Sequence, residues 1–141
     1  MTKDVLISVT GTQFSTENIG EPVEIVTNGS YYKKNNKHYV IYDEMIEGMN
    51  VTTKNMLKFD DKGFNLIRTG DVNTNMVFEE NKRNITNYST PFGSLVIGLD
   101  ASKIDVTENK EEIKVDIDYA IDINYEHLAD CKIKLSVKAV R

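Results

Sequence analysis

The chain holds very few of the residues that usually announce chemistry. Among 141 residues there is one cysteine, two histidines, two prolines and no tryptophan. A single cysteine, Cys131, excludes an intrachain disulfide. Neither His38 nor His127 stands in a paired-ligand spacing, so the usual Cys/His zinc sites have no donor set. Hydrolytic triads need an imidazole within reach of a nucleophile and an orienting acid, and nothing near either histidine suggests one. Both sit beside turns and read as solvated. The stretch Asp71-Val72-Asn73-Thr74-Asn75-Met76 opens like a calcium loop, but Met76 stands where the turn glycine belongs and Lys82 where the bidentate glutamate belongs. No Gly-x-Gly-x-x-Gly or phosphate-loop pattern occurs. The expectation is a protein without cofactor or metal, and not an enzyme.

Positive charge is also lacking. The formal net charge is −5, which argues against binding to nucleic acid or an anionic membrane surface. One basic–aromatic cluster, Lys33-Lys34-Asn35-Asn36-Lys37-His38 flanked by Tyr31, Tyr32 and Tyr39, reads as a solubilising hairpin tip rather than a strand-binding platform. No apolar run approaches the ~20 residues of a membrane helix. The opening Met1-Thr2-Lys3-Asp4-Val5-Leu6-Ile7-Ser8 lacks a signal h-region. With the lone cysteine, these features point to a cytoplasmic protein.

Helical periodicity is missing as well; what replaces it is alternation with period two. From Ile113 to Tyr125, Ile113, Val115, Ile117, Tyr119, Ile121 and Ile123 point one way, against Lys114, Asp116, Asp118, Ala120, Asp122 and Asn124. The last segment repeats the pattern, with Cys131, Ile133, Leu135, Val137 and Ala139 opposed by Lys132, Lys134, Ser136 and Lys138. If residues Glu126 to Asp130 connect the two, Tyr125 faces Cys131, Ile123 faces Ile133 and Ile121 faces Leu135, while Asn124 meets Lys132, Asp122 meets Lys134 and Asp118 meets Lys138. Cys131 then falls on the apolar face as a buried, inert thiol.

Turn signals recur as a meander requires: Asn35-Asn36, Asp60 to Gly63, Glu80 to Arg83, Thr90-Pro91-Phe92-Gly93 and Glu108 to Glu111. About eight to ten strands follow, with no crossover helix. Long strands in sequential order suit a barrel that leaves no edge unpaired. The expectation is an all-β, antiparallel, up-and-down barrel forming a single domain over residues 1–141.

The blocks Leu66-Ile67-Arg68-Thr69-Gly70, Met76-Val77-Phe78 and Tyr88-Ser89-Thr90-Pro91-Phe92-Gly93-Ser94-Leu95 carry a resemblance. So do Val5-Leu6-Ile7-Ser8-Val9-Thr10-Gly11 and Gly29-Ser30-Tyr31-Tyr32-Lys33. The chain resembles the YwiB-like family, uncharacterised bacterial proteins. The resemblance implies a lipocalin-like (calycin) β-barrel and no defined activity.

One candidate site emerges from register. Folding the Asp60–Gly63 hairpin puts Phe59 opposite Phe64 and Leu57 opposite Leu66. Continuing, Asn55 faces Arg68 and Thr53 lies beside Gly70, all on the inward face. A guanidinium there needs an inward acid, backbone carbonyls or a ligand anion. Arg68, Asn55 and Thr53 are therefore the expected ligand-binding residues, for a small, partly apolar molecule in the barrel. The alternative is a non-catalytic interaction module or homodimer working through an outer surface, as the mixed faces of Tyr39 to Ile46 suggest. Between Thr74 and Asp100 alternation leaves the inward face open: Met76, Phe78 and Ile85 compete with Val77, Tyr88, Leu95 and Ile97.

Overall fold

The computed structural model describes residues 3–14, 23–45, 52–70, 73–90 and 93–140, with the backbone alone at 12–14, 23, 45 and 88–90. Strands are β1 (Asp4–Phe14), β2 (Val23–Lys34), β3 (Lys37–Met45), β4 (Thr52–Phe59) and β5 (Gly63–Thr69). They are followed by β6 (Thr74–Glu79), β7 (Lys82–Thr90), β8 (Gly93–Glu108), β9 (Glu112–Ile123) and β10 (Glu126–Ala139). Each strand pairs antiparallel with its neighbour in sequence, and β1 pairs with β10 to close a ten-stranded barrel. The expected meander is the observed architecture. The Pro91–Phe92 turn, the first two residues of the calcium-like loop and Ile46 lie outside the described residues.

Pairing around the ring is uneven. β9 and β10 match along most of their length, as do β3 and β4. By contrast β2 and β3 pair only from Ser30↔Ile41 down to Lys34↔Lys37, and β6 and β7 share the single pair Glu79↔Lys82. Both short seams sit at the end of the barrel where the β2–β3, β4–β5, β6–β7 and β8–β9 connections lie. The barrel is thus two walls, one of β3 to β6 and one of β7 to β10 with β1 and β2. They join at this end, here called the closed end, and among the described residues they part toward the other, here called the open end. Gly29 sits just past the last β2–β3 pair, and its neighbours leave no room for a side chain. A Cβ there would lie 2.5 Å from the Ile41 carbonyl oxygen and would clash with Ile7 Cδ1. Gly29→Ala is expected to lower stability by about 1–3 kcal/mol, the usual effect of overpacking, measured by urea unfolding against wild type.

The core follows the alternation. Val5, Ile7, Val40, Phe78, Ile113, Ile117 and Val137 are fully buried. An aromatic chain crosses the floor: Phe59 stacks on Phe64 at 5.5 Å, Phe64 meets Phe78 edge-on at 6.2 Å, and Phe78 meets Tyr119 at 4.8 Å. The face left open by the sequence is decided here. Met76 and Phe78 point inward with Ile97 and Leu99, while Ile85 is exposed; the side chain of Tyr88 lies outside the described ones.

The β9–β10 register differs from the expected one. Ile133 faces Ile117, not Ile123; Leu135 faces Val115, not Ile121; and Cys131 faces Tyr119, not Tyr125. On the outer face Lys132 opposes Asp118, Lys134 opposes Asp116 and Lys138 opposes Glu112. The cause is a tighter turn than the composition suggested. Asn124 (φ 51°) and Tyr125 (φ 69°) both adopt the left-handed conformation that a two-residue hairpin needs. Asn124 is held to β8, its amide donating to the Val96 carbonyl at 2.7 Å and its Oδ1 accepting from the Val96 amide at 3.0 Å. A tyrosine in that conformation carries a steric cost of roughly 1–2 kcal/mol, and its ring is largely exposed. Tyr125→Gly is accordingly expected to raise the melting temperature by a few degrees.

Left alone, that turn would set the apolar side chains of one strand against the polar ones of the other. A bulge between His127 and Ala129 corrects it. The extra residue, Leu128, is exposed, and beyond it the inward pairs again set apolar against apolar, from Ala129↔Ile121 to Val137↔Ile113. A second irregularity, between Ala101 and Lys103, does the same for β8 and β9. There Ser102 is the extra residue, its hydroxyl donating to the Asp118 carbonyl at 3.3 Å.

Candidate functional site

The three residues singled out from register lie together inside the four-stranded wall, toward the open end. Asn55 faces Arg68 across β4 and β5 as expected. Thr53 stands beside Gly70, where an added Cβ would come within 3.2 Å of Thr53 Oγ1. Asn55 is 1% exposed and Thr53 7%, whereas the Arg68 side chain keeps 39% of its surface open.

Glu44 completes the group, and sequence reasoning did not name it. Arg68 Nη2 donates to Glu44 Oε2 at 3.0 Å, and Asn55 Nδ2 reaches the same oxygen at 3.4 Å. The signal was present in β3: His38, Val40, Tyr42 and Glu44 alternate onto one face, the face on which Tyr42 opposes Asn55 and Glu44 opposes Thr53. An inward acid was one of the three partners expected for Arg68, and it is the one found. Tyr42 lies beneath this pair; burial pushes its phenol above the ordinary value and the nearby Glu44 carboxylate adds to the effect. Arg68 and Glu44 compensate each other's charge, so the mouth offers guanidinium and amide donors beside a carboxylate acceptor without a net charge from this pair.

Within the six-stranded wall, the inner faces of β1, β8, β9 and β10 are apolar toward the same end. Val9, Ile97, Ile121 and Ile133 line them, packed on the core but only partly buried. Cys131 and Tyr119 lie on these faces too. Cys131 is half-buried rather than fully buried, and burial raises both its thiol and the Tyr119 phenol, which bond to each other. That is an unreactive thiol at pH 7.

The closed end corrects a further expectation. His38 is not a solvated turn residue: it is 6% exposed, stacked on Phe59 at 5.0 Å. The Tyr31 hydroxyl and His38 Nδ1 share a hydrogen bond at 2.7 Å, and the other ring nitrogen, Nε2, lies 3.9 Å from Glu108 Oε1. Of the neighbouring tyrosines only Tyr31 turns inward. Tyr32 and Tyr39 stack face to face outside at 4.7 Å, with Lys58 Nζ 5.7 Å from the Tyr39 ring centre. His127 does match expectation, exposed and 3.1 Å from Asp130.

Burial holds the His38 imidazole below its ordinary range, and Glu108 offsets only part of this. The folded state therefore resists a proton that the unfolded chain accepts near pH 6.5. Stability from this residue is intact above that pH and falls as pH drops from there toward the lower folded value. His38→Gln keeps a hydrogen-bonding partner for Tyr31 without titrating. Denaturant midpoints at pH 7.5 and 5.5 should fall further for wild type than for His38→Gln.

The protein so defined is a ten-stranded antiparallel barrel with a packed floor and a mouth polar on one wall and apolar on the other. Residues 7–135 match the family described as a domain of unknown function, DUF1934, and the chain belongs to that family. It is similar to the uncharacterised β-barrel protein YwiB of Bacillus subtilis (strain 168), at 30% identity over 115 residues, 80% of each chain. The crystal structure of YwiB superposes with a TM-score of 0.82 at 23% identity, over 99% of this chain and 93% of that one. That likeness is one of fold.

Proposed function

We propose that this protein is a non-catalytic binder of a small amphipathic molecule, held at the open end between the two walls. The observation that carries the reading is the contrast of the inner faces: Glu44, Thr53, Asn55 and Arg68 on one, Val9, Ile97, Ile121 and Ile133 on the other. The aromatic floor fills the closed half, so the ligand sits in the mouth rather than along the whole lumen. Its apolar body lies on the isoleucines and its polar end meets Arg68 and Asn55. Paired groups of this kind suit holding and orienting a molecule. The lipocalin-like resemblance agrees with the reading, since barrels of this size hold one small ligand or fill with side chains. The outer faces of β9 and β10 carry Lys114, Lys134 and the Lys132–Asp118 pair at 3.7 Å, which suits water rather than lipid. We place the protein in the cytoplasm on the grounds of its single cysteine.

The test is a titration with N-phenyl-1-naphthylamine, a neutral apolar fluorophore. Wild type should give saturable fluorescence, and Ile121→Glu, checked to remain cooperatively folded at the assay temperature, should weaken it more than tenfold. A wild-type protein that gives no saturable signal contradicts the proposal.

A further inference from the structure

The seam between β6 and β7 is the weakest in the barrel wall. Beyond Glu79↔Lys82 the strands share no backbone pair; the Thr86 hydroxyl donates to the Asn75 carbonyl at 3.2 Å and bridges them instead. On each bank of this seam lies an inward polar atom that is fully buried yet has no hydrogen-bond partner among the described residues: Thr74 Oγ1 on β6 and Asn84 Nδ2 on β7. Thr74 is next to Asn75 in sequence and opposite Arg68 in register. Asn84 lies two residues before Thr86 and opposite the buried Leu99.

Buried polar groups are nearly always bonded, because leaving one unpaired forfeits its hydration with nothing in return. Two on the banks of one seam, with Arg68 beside the first, point to a group that arrives from outside the chain. Both can donate: Thr74 a hydroxyl proton, Asn84 two amide protons. Arg68 has further N–H groups besides the one bound to Glu44. The complement of these donors is a cluster of acceptor oxygens.

We infer that the β6–β7 seam is the subsite for the polar end of the ligand, and that this end is an oxyanion of the carboxylate or sulfonate class, received by Thr74, Asn84 and Arg68. The inference rests on the amphipathic-ligand reading above. It adds a ligand class and two residues that reading does not use. It also assigns a cost: in the empty protein Thr74 and Asn84 are kept unpaired, a sacrifice of stability for binding.

Two probes sharing one ring system separate the inference from the reading beneath it. N-phenyl-1-naphthylamine reports the apolar wall alone; 1-anilinonaphthalene-8-sulfonate adds an oxyanion to the same rings. Wild type should bind the sulfonate at least tenfold more tightly. Thr74→Val and Asn84→Leu should each remove most of that preference while leaving the neutral probe within about twofold. Without probe, both variants should unfold at the same denaturant concentration as wild type or a higher one. A purely structural role for these residues predicts lower midpoints and unchanged preference, and that result overturns the inference. Equal wild-type affinity for the two probes overturns it too but leaves the amphipathic-ligand reading standing. Failure of both probes to bind removes both.

Discussion

Deletion of Leu128 is expected to unfold the barrel, whereas Leu128→Ser should leave it almost untouched. The side chain is exposed and contributes little; its place in the backbone count is what matters. Loss of one residue from the bulge slides β10 by one position, and a slip of one turns every side chain to the other face. Leu135 and Val137, now 3% and 0% exposed, would exchange places with Lys134, Ser136 and Lys138. Burying lysines without partners costs several kcal/mol each, more than a domain of this size has to spare. Circular dichroism and a thermal scan of the two variants decide the matter. A Leu128 deletion that melts cooperatively near the wild-type temperature would show that the bulge does not set this register.

Phe78→Ala should have the next largest effect, a loss of about 3–5 kcal/mol, as expected of a fully buried aromatic truncated to alanine. Phe78 links Phe64 on the four-stranded wall to Tyr119 on the six-stranded wall, so the vacated volume lies between the walls where they should be tightest. Phe78→Leu retains much of that volume and should lose less than half as much. The urea midpoints of both variants, taken with unchanged m-values, provide the comparison.

Legibility from sequence followed the physics of alternation. A period of two assigns faces, and faces were readable wherever one side was apolar throughout, as in β9, β10 and the β4–β5 hairpin. It says nothing about register, because any even shift gives the same pairing of faces. Register was therefore right at Asn55↔Arg68, where Asp60 and Gly63 mark a familiar turn, and displaced at β9–β10. There the turn uses a tyrosine in a conformation tyrosine rarely takes, and an unmarked bulge follows. Asp60 shows what a readable turn contains, its Oδ1 accepting from the Lys62 and Gly63 amides at 2.9 and 3.0 Å. Between Thr74 and Asp100 both faces of the sequence are partly apolar, since Val77 and Ile85 lie outside the inward set. Alternation gave no answer there until the barrel closed.

The candidate site was half readable for the same reason. Arg68, Asn55 and Thr53 came from one hairpin whose register was secure. Glu44 lies on the next strand, across a pairing that sequence did not establish, and Thr74 and Asn84 border a seam that only the closed barrel reveals. His38 departs from expectation because adjacency to a turn does not fix exposure. The second residue after a two-residue turn can point inward, and here Tyr31 and Phe59 are placed to receive it.

Hydrogen exchange measured with and without N-phenyl-1-naphthylamine tests the central claim most directly, because it locates whatever binds. Protection should rise in the upper parts of β4 and β5 around Asn55 and Arg68, and in β8 and β9 around Ile97 and Ile121, with little change near Tyr31 and His38. Protection gained only at the closed end, or only along outward-facing segments, would contradict a ligand held between the two walls.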